Sequence, residues 1–181
     1  LRKRGVAVHD HTQMTGFTPR LNGVDVELDS AASVRCKHLI LACGYESQNW
    51  LAQSVANNRS SYAFITDPQD QGLGALANTM IWESARPYLY LRRTRDGRVL
   101  VGGEDDSIDI PLRRDGRVGA KAERLRKRME KLLPDLNWTP AFAWAGTFAE
   151  TKDGLPWFGP HEQHGPQPSV AAAIFVQAQV A

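Results

Sequence analysis

The 181-residue sequence predicts an α+β fold, with a mixed or antiparallel sheet flanked by helices. Three observations lead to this prediction. Alternating apolar and polar runs are separated by Asn-Gly and Asp-Gly, the turn signals of antiparallel hairpins. Residues 117–136 instead show the 3.6-residue period of an amphipathic helix. Residues 38–44 form a continuous apolar run, which is typical of a strand buried on both faces of a parallel sheet.

The first part of the chain predicts strands. Residues 5–36 have the pattern of an antiparallel meander, with Asn22-Gly23 as a two-residue hairpin turn. The run at 38–44 is predicted to be a parallel strand that ends in small residues, as such strands do where they meet a ligand. One short helix is expected over residues 46–57.

Residues 60–66 resume the alternation of a strand, and Asp67-Pro68 ends it. The polar, glycine-containing segment 69–78 is predicted to be a surface loop, and residues 79–83 follow it.

The clearest hairpin joins residues 87–94 to residues 98–103 through a predicted type I′ turn at Asp96-Gly97. Successive side chains of a strand point to opposite faces. One face of the first strand is therefore apolar and the other polar. The apolar face carries Leu89 and Leu91, and the polar face carries Tyr88, Tyr90 and Arg92.

The predicted helix at 117–136 should end or kink near Leu133, because Pro134 cannot donate a helical hydrogen bond. Nine basic residues accompany its apolar stripe. They suit either a solvated helix face or a surface that binds nucleic acid or membrane. These residues are Arg113, Arg114, Arg117, Lys121, Arg124, Arg126, Lys127, Arg128 and Lys131.

The segment 141–159 alternates aromatic and small residues and then ends in a run of turn-forming residues. Phe142, Trp144, Gly146 and Phe148 are predicted to share one strand face, and Ala141, Ala143, Ala145 and Thr147 the other. The alanine-rich face is nearly flat, so we expect a large planar group to approach it closely. Asp153-Gly154 supplies a turn that tolerates positive φ, and Pro156 removes a ladder donor.

Composition excludes several classes of protein. With 42% hydrophobic and 23% charged residues the chain is globular, and a net charge of +2 is too small to indicate nucleic-acid binding. Cys36 and Cys43 form no CxxC pair or Cys/His cluster, and the five histidines lack metal-ligand spacing, so neither a metal site nor a disulfide framework is predicted. A cytoplasmic location fits these cysteines best. No run approaches the roughly 18 apolar residues of a membrane span.

Three segments in this order resemble the D-amino-acid oxidase-like family of FAD-dependent oxidoreductases, which includes glycine and sarcosine oxidases. They are the strand ending Ala42-Cys43-Gly44, the Tyr-rich hairpin at 83–103, and the Thr-x-Asp-Gly-x-Pro-x-x-Gly segment at 151–159. The resemblance implies a partial FAD-binding α/β domain at 1–58, a substrate-binding domain at 59–149, and a truncated return to the FAD domain at 150–181.

The resemblance also implies roles for particular residues. Small residues and free backbone amides permit close approach of a flavin. Ala42, Cys43 and Gly44 would lie near its adenosine side, and Asp153, Gly154, Leu155 and Pro156 near the isoalloxazine. The FAD would be non-covalent, because no cysteine follows Cys43.

Tyr90 and Arg92 are the candidate catalytic residues, and Tyr88 and Arg86 the candidate substrate-binding residues. A phenol can orient an amine, and a guanidinium can hold an anion. The alternative for Tyr88, Tyr90 and Arg92 is an exposed hairpin face without a function. Arg86, in the extended dipeptide before Pro87, projects either into a cavity or into water.

One departure from the family affects the substrate. Amino-acid oxidases of this kind carry an Arg-Pro that clamps the substrate carboxylate where this chain has Phe148 and Ala149. The assignment of a simple α-amino acid as the substrate is therefore weakened. An amine, an N-methylated substrate, and a substrate whose carboxylate is held by Arg92 instead remain alternatives.

The sequence thus predicts part of an FAD-dependent enzyme that oxidises the CH–N bond of a small amine or amino acid by hydride transfer to flavin. The family's Gly-rich fingerprints are not seen, so we expect an internal fragment that by itself binds no FAD and is inactive. Two alternatives remain: oxidation of a hydroxy compound such as a polyol phosphate, and a non-catalytic basic binding module built on the helix at 117–136.

Overall fold

The computed structural model describes residues 1–51, 53–69, 74, 78–160 and 170–174. These residues form two compact units, one from the described residues of 1–55 and 156–174 and one from those of 56–155. The structure confirms an α+β chain with mostly antiparallel sheets. The domain limits predicted above stay a prediction.

The first unit contains the predicted meander. Its three strands form an antiparallel sheet in the order β1-β2-β3. They are β1 (Met14–Arg20), β2 (Gly23–Leu28) and β3 (Ser33–Cys36). Arg20 pairs with Gly23, so the two-residue turn is Leu21-Asn22, one position earlier than predicted. Gly23 is required at the start of β2, because a Cβ there would lie 2.4 Å from the Cys36 carbonyl oxygen.

A second sheet of this unit confirms the predicted parallel strand. Strand β4 (Leu39–Leu41) runs parallel to β11 (Val170–Ile174), which pairs antiparallel with β10 (Trp157–Pro160). Leu41 is buried with Val24 and Val26, and Trp157 packs against this cluster.

The helix predicted over 46–57 is wrong. Residues Gly44–Trp50 form a 3₁₀ helix, and residue 56 already begins the next strand. The buried Ser47 hydroxyl accepts a hydrogen bond from the Cys43 amide (3.1 Å) and donates one to the Leu41 carbonyl (3.3 Å). Such side-chain bonds to the backbone compete with α-helical hydrogen bonds.

The second unit is a five-stranded antiparallel sheet with two helices. Its strand order is β6-β7-β8-β5-β9. The strands are β5 (Ala56–Thr66), β6 (Met80–Trp82), β7 (Leu89–Arg93), β8 (Val99–Asp106) and β9 (Pro140–Thr151), and the helices are α1 (Pro111–Asp115) and α2 (Val118–Leu132). The loop predicted at 69–78 lies largely outside the described residues.

Helix α2 packs on one face of this sheet. Leu125 and Met129 are fully buried against Phe64, Leu89 and Leu91, which confirms the predicted apolar faces of helix and hairpin. Burial of each such side chain contributes about 1.5–3 kcal/mol. The helix ends at residue 132, before Pro134, as predicted.

The β7–β8 turn differs in type from the prediction. The Gly97 amide bonds to the Thr94 carbonyl (3.1 Å), and Gly97 has φ 86°, so residues 95–97 form a three-residue loop. A type I turn followed by a left-handed glycine also joins twisted strands. Asp-Gly thus indicates the hairpin without fixing whether the loop has two or three residues.

The flat alanine-rich face of β9 does not point where we expected. Ala143 pairs with Phe64, and Thr147 pairs with Ser60, so this side of β9 shares the sheet face on which α2 packs. Arg114 of α1 also donates to the Thr147 hydroxyl (2.9 Å). The helices therefore pack on the side where we expected a planar group, and the opposite face of the sheet, which we call the open face, carries no helix among the described residues.

Candidate active site

The open face of the five-stranded sheet combines aromatic and polar side chains. Phe142 and Trp144 of β9 are 67% and 42% exposed on it. Ser61 pairs with Gly146, and Tyr90 pairs with Gly102, which places these residues on the same face. An exposed aromatic surface beside half-buried hydroxyl groups is typical of a ligand-binding wall.

Tyr90, a predicted catalytic residue, lies at the centre of this face. A Cβ at Gly102 would be only 2.2 Å from the Tyr90 Cζ, so the ring lies across the glycine of the neighbouring strand. Its hydroxyl is 3.4 Å from the Ser61 hydroxyl. Burial raises the pKa of Tyr90, which keeps the phenol protonated and able to donate a hydrogen bond.

A cavity of about 280 Å³ adjoins this region within the second unit. The predicted substrate-binding residues Arg86 and Tyr88 both line it, and the Arg86 guanidinium lies 5.3 Å from the centre of the Tyr88 ring. Sequence reasoning missed two of its other lining residues, Arg59 and Asp105.

Glu150 holds both arginines of this cavity. Arg59 Nε donates to Glu150 Oε2, and Arg86 Nη1 donates to Glu150 Oε1 at 3.2 Å. Partial burial opposes ionisation of Glu150, but the hydrogen bonds from Arg86 and Arg59 lower its pKa overall. Glu150 thus fixes the two arginines on the cavity wall.

Asp105 reaches the open face because of a β-bulge. The register of β5 and β8 shifts between Ser60 and Tyr62, so Glu104 and Asp105 together oppose Ser61, and Glu104 has φ 56°. A bulge changes which face a side chain occupies. Asp105 Oδ1 is buried and has no hydrogen-bond partner in the described part of the chain. Burial raises the pKa of Asp105, although a hydrogen bond with Ser61 and the charge of Arg59 lower it in part.

The acidic residues on either side of Asp105 face helix α2. Lys121, whose side chain is 10% exposed, lies 3.8 Å from Glu104 Oε2 and 3.3 Å from Asp106 Oδ2, and it donates to the Glu104 carbonyl. Its ammonium also lies 4.9 Å from the centre of the Tyr62 ring. In the sequence, three consecutive acidic residues after Gly102-Gly103 were the signal that could have indicated this ion-pair cluster.

Arg92, the other predicted catalytic residue, lines a different cavity. That cavity measures about 300 Å³ and is shared with Arg93, Arg95 and Met80. The structure thus brings Arg86 and Tyr88 together and puts Arg92 in a separate pocket.

The predicted cofactor residues of the first unit end strand β4. Ala42 and Cys43 are exposed, and Gly44 has φ 60° with open space where a side chain would lie. The hydrogen bonds of Ser47 described above hold this strand end in place.

The predicted Asp153 turn forms in the second unit. Asp153 Oδ1 accepts a hydrogen bond from the Leu155 amide (3.1 Å) and lies 3.1 Å from the Thr151 hydroxyl, which donates to the Leu155 carbonyl (2.8 Å). These bonds, the one from the Leu155 amide foremost, lower the pKa of Asp153. Gly154 has φ 73°, a conformation that favours glycine, and Leu155 and Pro156 are exposed.

The basic residues of α2 are largely matched by acids. Arg126 pairs with Glu123 and Glu130, and Arg128 pairs with Glu83 and Glu104. Within the described ranges, no helix is long and apolar enough to cross a membrane, and no three His, Cys, Asp or Glu residues are grouped to hold a metal ion.

A family model described as DAO, FAD dependent oxidoreductase, matches residues 1–174. The chain belongs to this family. Comparison of the DAO chain with curated protein sequences gives no match.

Solved structures show the same fold. They include glycine oxidase from Geobacillus kaustophilus (TM-score 0.73, 15% identity, 93% of this chain and 43% of that one) and L-proline dehydrogenase from P. horikoshii (TM-score 0.75, 18% identity, 96% and 46%). NikD, described as an unusual amino acid oxidase essential for nikkomycin biosynthesis, matches with TM-score 0.75 at 15% identity over 98% and 49%. The DAO chain therefore spans less than half the length of each of these relatives.

Proposed function

We propose that the full-length protein oxidises the CH–N bond of a small amine or amino acid with non-covalent FAD. Membership of the DAO family supports the cofactor. Glycine oxidase, L-proline dehydrogenase and an amino acid oxidase among the structural neighbours support the substrate class. When bound, FAD supplies the acceptor for the substrate hydride.

The residues present fit a planar cofactor. A Cβ at Gly146 would meet nothing within 4 Å, and Phe142 and Trp144 are exposed on the same face of the sheet. A flavin ring would cover this apolar surface. We propose that Asp153, Gly154, Leu155 and Pro156 hold the ring side of FAD, and that Ala42, Cys43 and Gly44 hold its adenosine side.

The observation that carries the proposal is the Tyr90 hydroxyl on the open face, 3.4 Å from that of Ser61 and next to the cavity of Arg86 and Tyr88. The phenol would donate a hydrogen bond to the substrate, and the arginines would attract its anionic end. Once the flavin and substrate covered this face, the aromatic side chains would help to exclude water from the reacting carbon.

Anaerobic reduction of the purified full-length protein tests this function. We expect bound flavin that is bleached by at least one of glycine, sarcosine and L-proline. Tyr90→Phe and Arg86→Gln should slow bleaching, whereas Arg113→Gln, a change at an exposed position of α1, should not. A protein that cannot be loaded with flavin, or whose flavin none of a broad amine panel reduces, would contradict the proposal.

The hydroxy-compound alternative has one supporting observation, because Arg92, Arg93 and Arg95 around one cavity suit a phosphate. Bleaching by glycerol 3-phosphate but not by amines would favour it. The ion pairs on α2 weigh against a basic binding module. We also propose a cytoplasmic location, with which the free thiols of Cys36 and Cys43 agree.

A further inference from the structure

Asp105 stands apart from the other charged groups of the second unit. Arg59 and Arg86 are held by Glu150, and Glu104 and Asp106 are paired with Lys121. Asp105 Oδ1 is buried and accepts no hydrogen bond within the described residues, although its residue lines the 280 Å³ cavity. Native structures rarely keep a buried polar atom unpaired without a reason.

The surroundings of Asp105 define what could pair with it. Arg59, Arg86, Glu150 and Asp105 together carry no net charge, so one more cation at Asp105 is not repelled by an excess of positive charge. The nearby hydroxyls of Ser61 and Tyr90 can serve a ligand N–H or oxygen equally. The missing partner is therefore a hydrogen-bond donor, and a cationic donor is favoured over a neutral one.

We propose that Asp105 is the group that binds the substrate nitrogen, accepting an N–H hydrogen bond from the amine, and that the bulge held by Lys121 positions it. This inference rests on the proposed function and deepens it, because it selects amines over hydroxy compounds. The bulge explains the geometry, since without the extra residue opposite Ser61 the alternation of β8 would not bring Asp105 to the open face.

Paired probes test the proposal on the full-length flavoprotein. Glycine and glycolate share a carboxylate and differ only in the amine or hydroxyl, so their apparent Kd values compare the two donors directly. Anaerobic flavin reduction gives the value for glycine, and competition of glycolate against that reduction gives the value for glycolate. We expect Asp105→Asn and Asp105→Ala to raise the Kd of glycine about 10- to 100-fold, as loss of a hydrogen bond to a charged group does. The Kd of glycolate should change by less than about threefold. If sarcosine or L-proline reduces the flavin faster than glycine does, it replaces glycine as the amine probe.

A second readout does not depend on turnover. Binding to the folded state raises the midpoint of thermal unfolding, so the amine should stabilise the wild-type protein more than either Asp105 variant. Asp105→Ala removes a buried oxygen without a partner among the described residues, together with the hydrogen bond to Ser61, and far-UV circular dichroism of each variant checks that it is folded. Asp109→Asn, a change at an exposed aspartate after β8, is the matched control and should behave as wild type.

The outcomes separate the two proposals. A wild-type flavin that no amine reduces would overturn the proposed function. A wild-type flavin reduced by amines, with unchanged amine affinity in folded Asp105→Asn and Asp105→Ala, would overturn only the role of Asp105. An equal loss of affinity for glycine and glycolate would also overturn it, because the carboxylate would then not distinguish nitrogen from oxygen.

Discussion

The ring of Tyr90 lies across Gly102, its cross-strand partner, with no room for a side chain between them. This packing brings the phenol within 3.4 Å of the Ser61 hydroxyl on the strand beyond. The position of the Tyr90 ring therefore depends on the absence of a side chain at Gly102 of strand β8.

Gly102→Ala should displace the Tyr90 ring. Forcing a methyl group into a packed site costs about 1–3 kcal/mol of unfolding free energy, and flavin reduction by the amine substrate should fall toward the rate of Tyr90→Phe. Urea unfolding and anaerobic stopped-flow spectroscopy measure the two effects. Gly119→Ala, on an exposed stretch of α2 with nothing within 4 Å, is the control and should stabilise by up to about 1 kcal/mol. Equal stability of the two variants would contradict the packing argument.

Lys121→Met should destabilise the second unit. It removes the buried cation shared by Glu104 and Asp106, and breaking a buried ion pair costs about 3 kcal/mol at the lower end of the range. The lower end applies because Arg117 and Arg128 also pair with these acids. The free energy of urea unfolding measures the loss, with Lys131→Met at an exposed position of α2 as the control. A loss below about 1 kcal/mol would show that the other arginines suffice.

The unfolding free energy should depend on pH through Asp105. Burial raises its pKa above the ordinary value of 3.8, so the folded chain binds this proton more tightly than the unfolded chain. The stabilisation is fully present below the unfolded pKa and is lost as pH rises through the raised folded value. The advantage of Asp105→Asn over wild type should therefore grow from pH 4 to pH 7 in urea unfolding. An Asp105→Asn advantage that is constant with pH would refute the raised pKa.

Asp153→Ala should loosen the turn at the proposed flavin ring. It removes the acceptor of the Leu155 amide, which costs about 1 kcal/mol, and flavin should dissociate more readily from the full-length protein. Asp153→Asn keeps a carbonyl oxygen at this position and should retain most of the affinity. Flavin fluorescence during dilution measures the dissociation constants. Identical retention by Asp153→Ala and wild type would remove the turn from the cofactor site.

Local patterns predicted most strands, the hairpin and helix α2, because alternation and the 3.6-residue period report which side chains are buried. They also predicted that Leu89 and Leu91 face the core. The local patterns gave wrong predictions where contacts between distant parts of the chain determine the structure. The helix at 46–57 gave way to hydrogen bonds made by Ser47, and the orientation of the alanine face of β9 depended on where α2 packs.

The site was predictable only in part. Tyr90 was recognised from its alternation with Leu89 and Leu91, but Asp105 was not, because the bulge requires Glu104 at φ 56°. Glutamate seldom adopts that conformation, so no residue preference indicates it. The pairing of Arg59 with Glu150 joins residues 91 positions apart and is visible only in the folded sheet.

Ala56 and Thr151 are cross-strand partners, so the chain enters and leaves the five-stranded sheet at neighbouring points. Everything between them is a single excursion whose two ends are already tied together by backbone hydrogen bonds. Because the two ends of this segment are neighbours, its length can change without moving the points where the chain enters and leaves it. A change in the length of this segment would thus leave the connections of the remaining chain as they are.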